Sequence, residues 1–249
     1  LISNACDNLN KSRRIGYFDN SYIDVMMNRH TISVRSGGLP IPIEFSEEYG
    51  CYVPEQCFGR FLSGSNFVKD RNDGGAHGIG CKATNTSSNE FYILIQDHTR
   101  HLEYFQRWTN QMANVEPPVI TPYNGTVSNT TVTYNVKFEF FGYDPVSGYP
   151  EEAFNLFARN TLDASFTAKT VTTFNTEKFS CQTIRDYASF FFDVSHDFVL
   201  HYQWPYGANT QKNKDGTEYS TDGSLPEVEI IAVSAVNRGL PLGLANSVF

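Results

Sequence analysis

Residues Phe91 to Met112, FYILIQDHTRHLEYFQRWTNQM, decide how the rest of the chain is read. The run opens as a strand, Phe91-Tyr92-Ile93-Leu94-Ile95, because aromatic and β-branched side chains fit a pleated, half-buried surface. It turns over at Gln96-Asp97. Beyond the turn Leu102, Phe105, Trp108 and Met112 recur at spacings of three and four, which predicts an amphipathic helix over 97–112. Asp97 or Thr99 would be its N-cap, since a short side-chain oxygen accepts an orphan amide hydrogen of a first turn. Pro117-Pro118 bars any continuation. Leu102, Phe105, Trp108 and Met112 are on this reading the helix-packing residues, and the helix is the principal one of the chain.

Almost everything around it reads as strand and loop. Residues 1–20 are a polar arm or short helix with solvated Lys11, Arg13 and Arg14. Tyr22 to Met27 and Thr31 to Arg35 alternate as strands do, and Ser36-Gly37-Gly38 ends the second. Leu39-Pro40-Ile41-Pro42-Ile43 then leaves the chain extended, because proline supplies no ladder hydrogen. A long insertion, 44–88, has little periodicity. Its Gly74, Gly75, Gly78 and Gly80 follow no clear strand, open no clear helix and carry no GKS or GKT, so a phosphate cradle is not expected there. Val132 to Phe141 is the clearest strand, Glu151 to Asn160 one or two helical turns, and Phe190 to Trp204 one long strand or two short ones. The expected fold class is therefore mainly β (α+β), an antiparallel β-sandwich or barrel over 1–204. Residues 205–249 are expected to be a C-terminal linker and docking extension, with Leu240, Leu242, Leu244, Val248 and Phe249 covering themselves on a neighbouring subunit.

The composition narrows the function classes. A formal net charge of −8 without a basic run argues against sequence-independent phosphate binding as a main activity. No run approaches the roughly 18 apolar residues of a membrane helix, so no membrane partner is expected. Leu1 to Arg14 has no apolar core of a signal peptide, and a first residue other than Met reads as a processed or trimmed terminus. The 20 Phe and 14 Tyr favour a sheet-built, contact-rich protein. Five cysteines, Cys6, Cys51, Cys57, Cys81 and Cys181, form neither an even disulfide set nor a CxxC pair, and reduced, partly buried thiols are expected. The sequons at Asn85, Asn124 and Asn129 would matter only in a secreted protein.

Candidate chemistry is weak. His98 and His101 would share one helix face, with His196, Asp197 and His201 as further ligands, but there is no HExxH and Glu103 lacks a partner His four residues on. Cys181 has no nucleophile elbow around it. Ser195-His196-Asp197 are consecutive and point to opposite strand faces, which a triad cannot use. Glu47-Glu48 and Glu151-Glu152 are adjacent carboxylates, as solvated surface has them. No catalytic residue, metal or cofactor is expected, and the chain is not read as an enzyme.

The order of elements resembles the tail-tube fold of contractile phage tails and related injection machines. Three stretches carry the resemblance. Thr31 to Pro40, TISVRSGGLP, is similar to an early strand running into Leu-Pro; Phe91 to Met112 is similar to the strand and helix of a tube subunit, with Phe105 and Trp108 packing across the barrel; Val132 to Phe141 with Thr173 to Tyr202 is similar to the closing strands. The resemblance implies a virion structural protein, a tube subunit or a baseplate tube-initiator or adaptor. Its partners would be further copies in a hexameric ring and neighbouring tail or baseplate proteins, with DNA passing through the ring without specific binding. A viral capsid jelly roll and a secreted glycan-binding β protein are the alternatives. A jelly roll needs about eight regularly spaced strands and no central helix.

Overall fold

The computed structural model describes residues 1–17, 20–61 and 79–192, together with the backbone of 199–204, 210–212, 218–220 and 228–233. The elements run α1 (Ile2–Arg14), β1 (Tyr22–Met27), β2 (Ile32–Ser36), β3 (Phe45–Ser46), β4 (Cys51–Tyr52), α2 (Val53–Gly59), α3 (Gly80–Thr86), β5 (Ser88–Asp97), β6 (Leu102–Thr109), β7 (Asn114–Val115), β8 (Val119–Pro122) and β9 (Asn129–Val136). A 3-10 turn at Phe138–Phe141, α4 (Glu151–Thr167), β10 (Val171–Phe174) and β11 (Glu177–Ser180) follow. These make up a first compact unit, Leu1–Ser180. A second, Cys181–Phe249, holds α5 (Ile184–Ala188), an antiparallel pair of β12 (Val199–Trp204) with β15 (Val228–Val233), and another of β13 (Thr210–Lys212) with β14 (Glu218–Ser220).

The stretch 97–112 is not a helix. It is the turn and second strand of a hairpin in which β5 and β6 pair antiparallel from Glu90 with Thr109 to Asp97 with Leu102. Tyr104, Gln106 and Trp108 are buried at a spacing of two, which is the strand period. The helical spacing of Leu102, Phe105, Trp108 and Met112 coexists with that alternation, and Gln106, polar in sequence, conceals it. Leu102 and Phe105 are half-buried, and Met112 sits in a run of left-handed residues, Asn110, Gln111 and Met112, that ends the strand. Asp97 makes the bonds an N-cap would make, but to a turn: its Oδ1 accepts from the amides of Thr99 (2.9 Å) and Arg100 (3.2 Å) and from the Thr99 hydroxyl (2.6 Å).

The hairpin belongs to a nine-stranded sheet in the order β11-β10-β1-β2-β9-β5-β6-β7, with β8 also on β6; only β1 and β10 pair parallel. The fold is α+β with a mainly antiparallel sheet. The sheet is open, with β11 at one edge, so the expected sandwich or barrel does not form. Register aligns Phe174, Val25, Val34, Val132, Ile93 and Gln106 across six strands on one face, and each of the six is buried. Helices cover that face: α4 packs on β1, β10 and β11, α1 packs on α4, and α3 on β5 and β9.

Of the two readings of residues 1–20, arm or short helix, the helix is found: 13 residues long, with Ala5, Cys6, Leu9 and Ser12 buried at helical spacing. Two other readings change. The short turns at 151–160 are the start of the 17-residue α4. The strand expected over 132–141 stops at Val136, and the following turn leaves Phe140 and Phe141 exposed. Leu240, Leu242, Leu244, Val248 and Phe249 lie outside the described residues.

Trp108 is 1% exposed and packs edge-on against Phe91, with ring centroids 5.9 Å apart. Trp108→Ala is expected to cost about 3–5 kcal/mol in a denaturant titration, the range for removing a buried aromatic. At the hairpin turn, burial opposes ionisation of Asp97, but hydrogen bonds from Thr99 and Arg100 outweigh it and hold the carboxyl below its ordinary 3.8. A depressed carboxyl stabilises the fold above its unfolded value and loses that contribution as pH falls through the folded one. Thermal melts are therefore expected to weaken below about pH 4, and Asp97→Asn to show a lower Tm at neutral pH with a shallower acid slope.

Candidate functional site

Helix α1 is fixed to the rest of the first unit by the turn that follows β2. Asn8 Nδ2 donates to the carbonyls of Leu39 (3.1 Å) and Gly37 (3.4 Å). The Ser12 hydroxyl donates to the Asn8 carbonyl (2.6 Å) and accepts the Leu39 amide (2.8 Å). Two glycines make the approach feasible. A Cβ on Gly37 would stand 2.0 Å from the Asn20 carbonyl oxygen, and Gly38 has φ +91° with Asn8, Leu9 and Ser12 atoms 3.0 Å from where its Cβ would be. The turn's own polar groups are thereby consumed, and its work is to hold α1 in place. With Ala5, Leu9 and Ser12 turned inward, Asn4, Asp7 and Lys11 share the opposite face at spacings of three and four. Asn4 and Lys11 are exposed and Asp7 is half-buried.

A second assembly joins α2 to α3. Pro54 sits in the first turn of α2, where its missing N–H costs nothing. The last carbonyls of α2 have no partners within the helix, and α3 supplies them: the Cys81 thiol donates to the Cys57 carbonyl (3.2 Å) and Asn85 Nδ2 to the Phe58 carbonyl (3.1 Å). Spacing of four on α3 puts both donors on one face. Gly59, next in line, lies on Trp108, where a Cβ would be 2.8 Å from Nε1. Lys82 is 2% exposed, and its ammonium acts on both the Cys57 and Cys81 thiols.

Gly80 is the first residue of α3, which corrects the reading that the glycine-bearing stretch opens no helix; Gly74, Gly75 and Gly78 lie outside the described residues. His98 binds the Ser128 hydroxyl through Nδ1 (2.7 Å), His101 is exposed at φ 55° in the hairpin turn, and Glu103 accepts from Gln96 Nε2 (2.6 Å). The three share no helix. Among the described residues no cluster of three His, Cys, Asp or Glu is arranged to hold a metal. Cys181 is fully buried, and Ser195, His196 and Asp197 lie outside the described residues, as does the His201 side chain. Glu47, Glu48, Glu151 and Glu152 are exposed. Of the sequon asparagines, Asn85 and Asn129 are buried.

Sequence reasoning passed over Asn8, Ser12, Gly37, Gly38, Cys57, Cys81, Lys82 and Asn85. The one available signal was the helical spacing of Ala5, Leu9 and Ser12 inside the polar arm.

An open, mainly antiparallel sheet with helices packed on one face defines a two-layer α+β domain. Solved structures that the chain matches include ATPase regions of topoisomerase II. The chain matches the ATPase region of Saccharomyces cerevisiae topoisomerase II with a TM-score of 0.72 and 27% identity over 81% of this chain and 52% of that one. It matches the ATPase and transducer domains of DNA topoisomerase II from Balamuthia mandrillaris with a TM-score of 0.69 and 25% identity over 84% and 56%. In sequence it is 33% identical over 144 residues to the mitochondrial DNA topoisomerase 2 of Dictyostelium discoideum, which is 57% of this chain and 11% of that protein. The chain thus spans about half the length of the solved chains and a tenth of that curated relative. No protein-family model matches it.

These similarities overturn the injection-machine resemblance and what it implied. The relatives are named as topoisomerases, which are enzymes acting on DNA, so the readings of a non-enzyme and of a virion tail or baseplate component fail. The hexameric ring, the tail partners, the DNA that passes unbound and the location in a virion fail with them, and neither the capsid nor the glycan-binding alternative finds support.

The glycine pair offers a direct check on the α1 anchorage. Gly37→Ala drives a methyl into the Asn20 carbonyl and is expected to cost about 1–3 kcal/mol of stability, the range for overpacking. A denaturant midpoint equal to the parent's would mean that the turn is not pinned between Asn20 and α1.

Proposed function

We propose that the first unit, Leu1–Ser180, binds ATP, and that the chain is part of an ATP-dependent type II DNA topoisomerase. The observation that carries the reading is the likeness to the ATPase region of a topoisomerase II at a TM-score of 0.72 over 81% of the chain. The local chemistry supports it. ATP asks for polar side chains and backbone amides beside an accessible helix face, and Asn4 and Asp7 stand on such a face of α1. Asn8, Ser12 and the Gly37–Leu39 turn position α1 and so position that face. An ATP site of this kind tolerates an acidic chain, because a few local donors outweigh a diffuse net charge at contact distance.

The second unit reads as the beginning of a transducer part. The match to the Balamuthia mandrillaris chain, named for ATPase and transducer domains, extends over 84% of this chain, a share larger than Leu1–Ser180 alone supplies. Action on DNA would then belong to the longer assembly of which these two units are a portion.

Binding of a non-hydrolysable ATP analogue to the full chain, followed by titration calorimetry, tests the reading. Saturable binding displaced by ATP is expected. Asn4 is exposed and makes no hydrogen bond among the described residues, so Asn4→Ala is expected to leave the Tm unchanged while weakening the analogue about tenfold, the loss of one good polar contact. No heat of binding up to about 1 mM analogue, the millimolar limit of specific recognition, would overturn it.

A further inference from the structure

Two thiols meet at the contact between α2 and α3. Cys81 is buried and directs its Sγ at the backbone of Cys57, 3.2 Å from the carbonyl oxygen, while Cys57 itself is only half-buried. The Lys82 ammonium acts electrostatically on both thiols, and Cys81 acts on Cys57. Neither thiol is joined to another in this structure. The Asn85 to Phe58 hydrogen bond, one turn along α3, holds the same two helices in register, so the thiols have a fixed rather than an accidental proximity.

We propose that Cys57 and Cys81 are a redox pair, which peroxide converts into a disulfide that covalently fastens α2 to α3. The half-exposed Cys57 reacts first. Its thiolate attacks one oxygen of hydrogen peroxide, the O–O bond breaks, hydroxide leaves, and the sulfur becomes a sulfenic acid. The Cys81 thiolate then attacks that sulfur, the S–S bond forms, and the sulfenic oxygen departs as water with one proton. Two thiols and one peroxide give one disulfide and two waters, and a dithiol reductant reverses the change. Cys51 is the competing partner, since it also acts on Cys57, but its own thiol faces Arg60.

Burial pushes the Cys57 thiol up to about 11, against the favourable pull of Lys82 and with smaller contributions from Cys81 and Cys51. Burial raises Cys81 too, opposed by Lys82. Both thiols are therefore protonated at neutral pH. The reaction is slow there and rises about tenfold per pH unit up to pH 9, as the thiolate fraction does. The pair acts as a stress-level device rather than a fast sensor.

The experiment is peptide mapping of the full chain after peroxide at pH 8, with free thiols blocked before reduction. A Cys57–Cys81 linked peptide is expected, lost on reduction, absent in Cys57→Ser and Cys81→Ser, and retained in Cys51→Ser. Oxidised protein is also expected to melt about 5–10 °C higher, because the bond closes a chain loop in the unfolded state. Recovery of Cys57 and Cys81 as separately blocked thiols, or a Cys51–Cys57 link in their place, overturns the proposal. None of these readouts involves nucleotide, so their outcome is independent of ATP binding.

Discussion

Strand β5 is the constraint on which the first unit depends. It pairs with β9 on one side and β6 on the other, and its Phe91, Ile93 and Ile95 have no exposed surface. Two of these face a buried partner on both neighbours: Phe91 between Trp108 and Tyr134, Ile93 between Gln106 and Val132. Because side chains alternate across a strand, one register decides which residues of three strands meet the helices. Phe91 also carries the helical layer, with Phe58 of α2 at 6.3 Å and Trp108 beneath Gly59. A slip of one residue in β5 would turn out the apolar row and remove the floor on which α2 and α3 rest.

The polar member of that row explains why the hairpin was hard to read. Gln106 is fully buried, yet every part of its amide is used: Nε2 donates to Glu55 Oε2 and to the Glu116 carbonyl, each at 3.1 Å, and Oε1 accepts the Tyr104 hydroxyl. A satisfied buried amide costs little, whereas an unsatisfied one would cost about 1–3 kcal/mol. The acceptors of its Nε2 come from α2 and from the segment after β7, outside the local pattern of the strand. Sequence periodicity counts Gln106 as solvent-facing and so selects Leu102, Phe105, Trp108 and Met112 in place of Tyr104, Gln106 and Trp108. Asp97 reinforced the error, because a carboxylate closing a hairpin turn uses the same short-range bonds as one capping a helix.

Other parts were legible. Strands β1 and β2, the end of β2 at Ser36-Gly37-Gly38 and the α+β composition follow from alternation and turn residues. The buried stripe of helix α1 is less legible than the helix itself, because it is made of Ala5, Cys6, Leu9 and Ser12, mostly small and partly polar residues that a hydropathy pattern discounts. They are small because α1 lies close against α4 and against the Gly37–Leu39 turn, where the Ser12 hydroxyl is a structural hydrogen-bonding group. The same economy conceals function. The face proposed to meet ATP, built from Asn4 and Asp7, carries no ligand spacing or nucleophile signature that a sequence motif would reveal.

The mistaken resemblance has a related physical source. Strand, turn, helix and strand in a given order constrain a fold only if each element is of the right type, and one substituted type changes every pairing downstream. With 97–112 taken as a helix, β5 has no hairpin partner and must find one on another copy of the chain, which makes a ring assembly look necessary. With the same residues as β6, β5 is paired on both sides within the unit and that demand disappears. The edge problem moves instead to β11 and to the short β7 and β8, whose two and four residues leave little ladder exposed. A sheet with short outer strands on one side and helices over its apolar face does not need a second copy of the chain to pair β5.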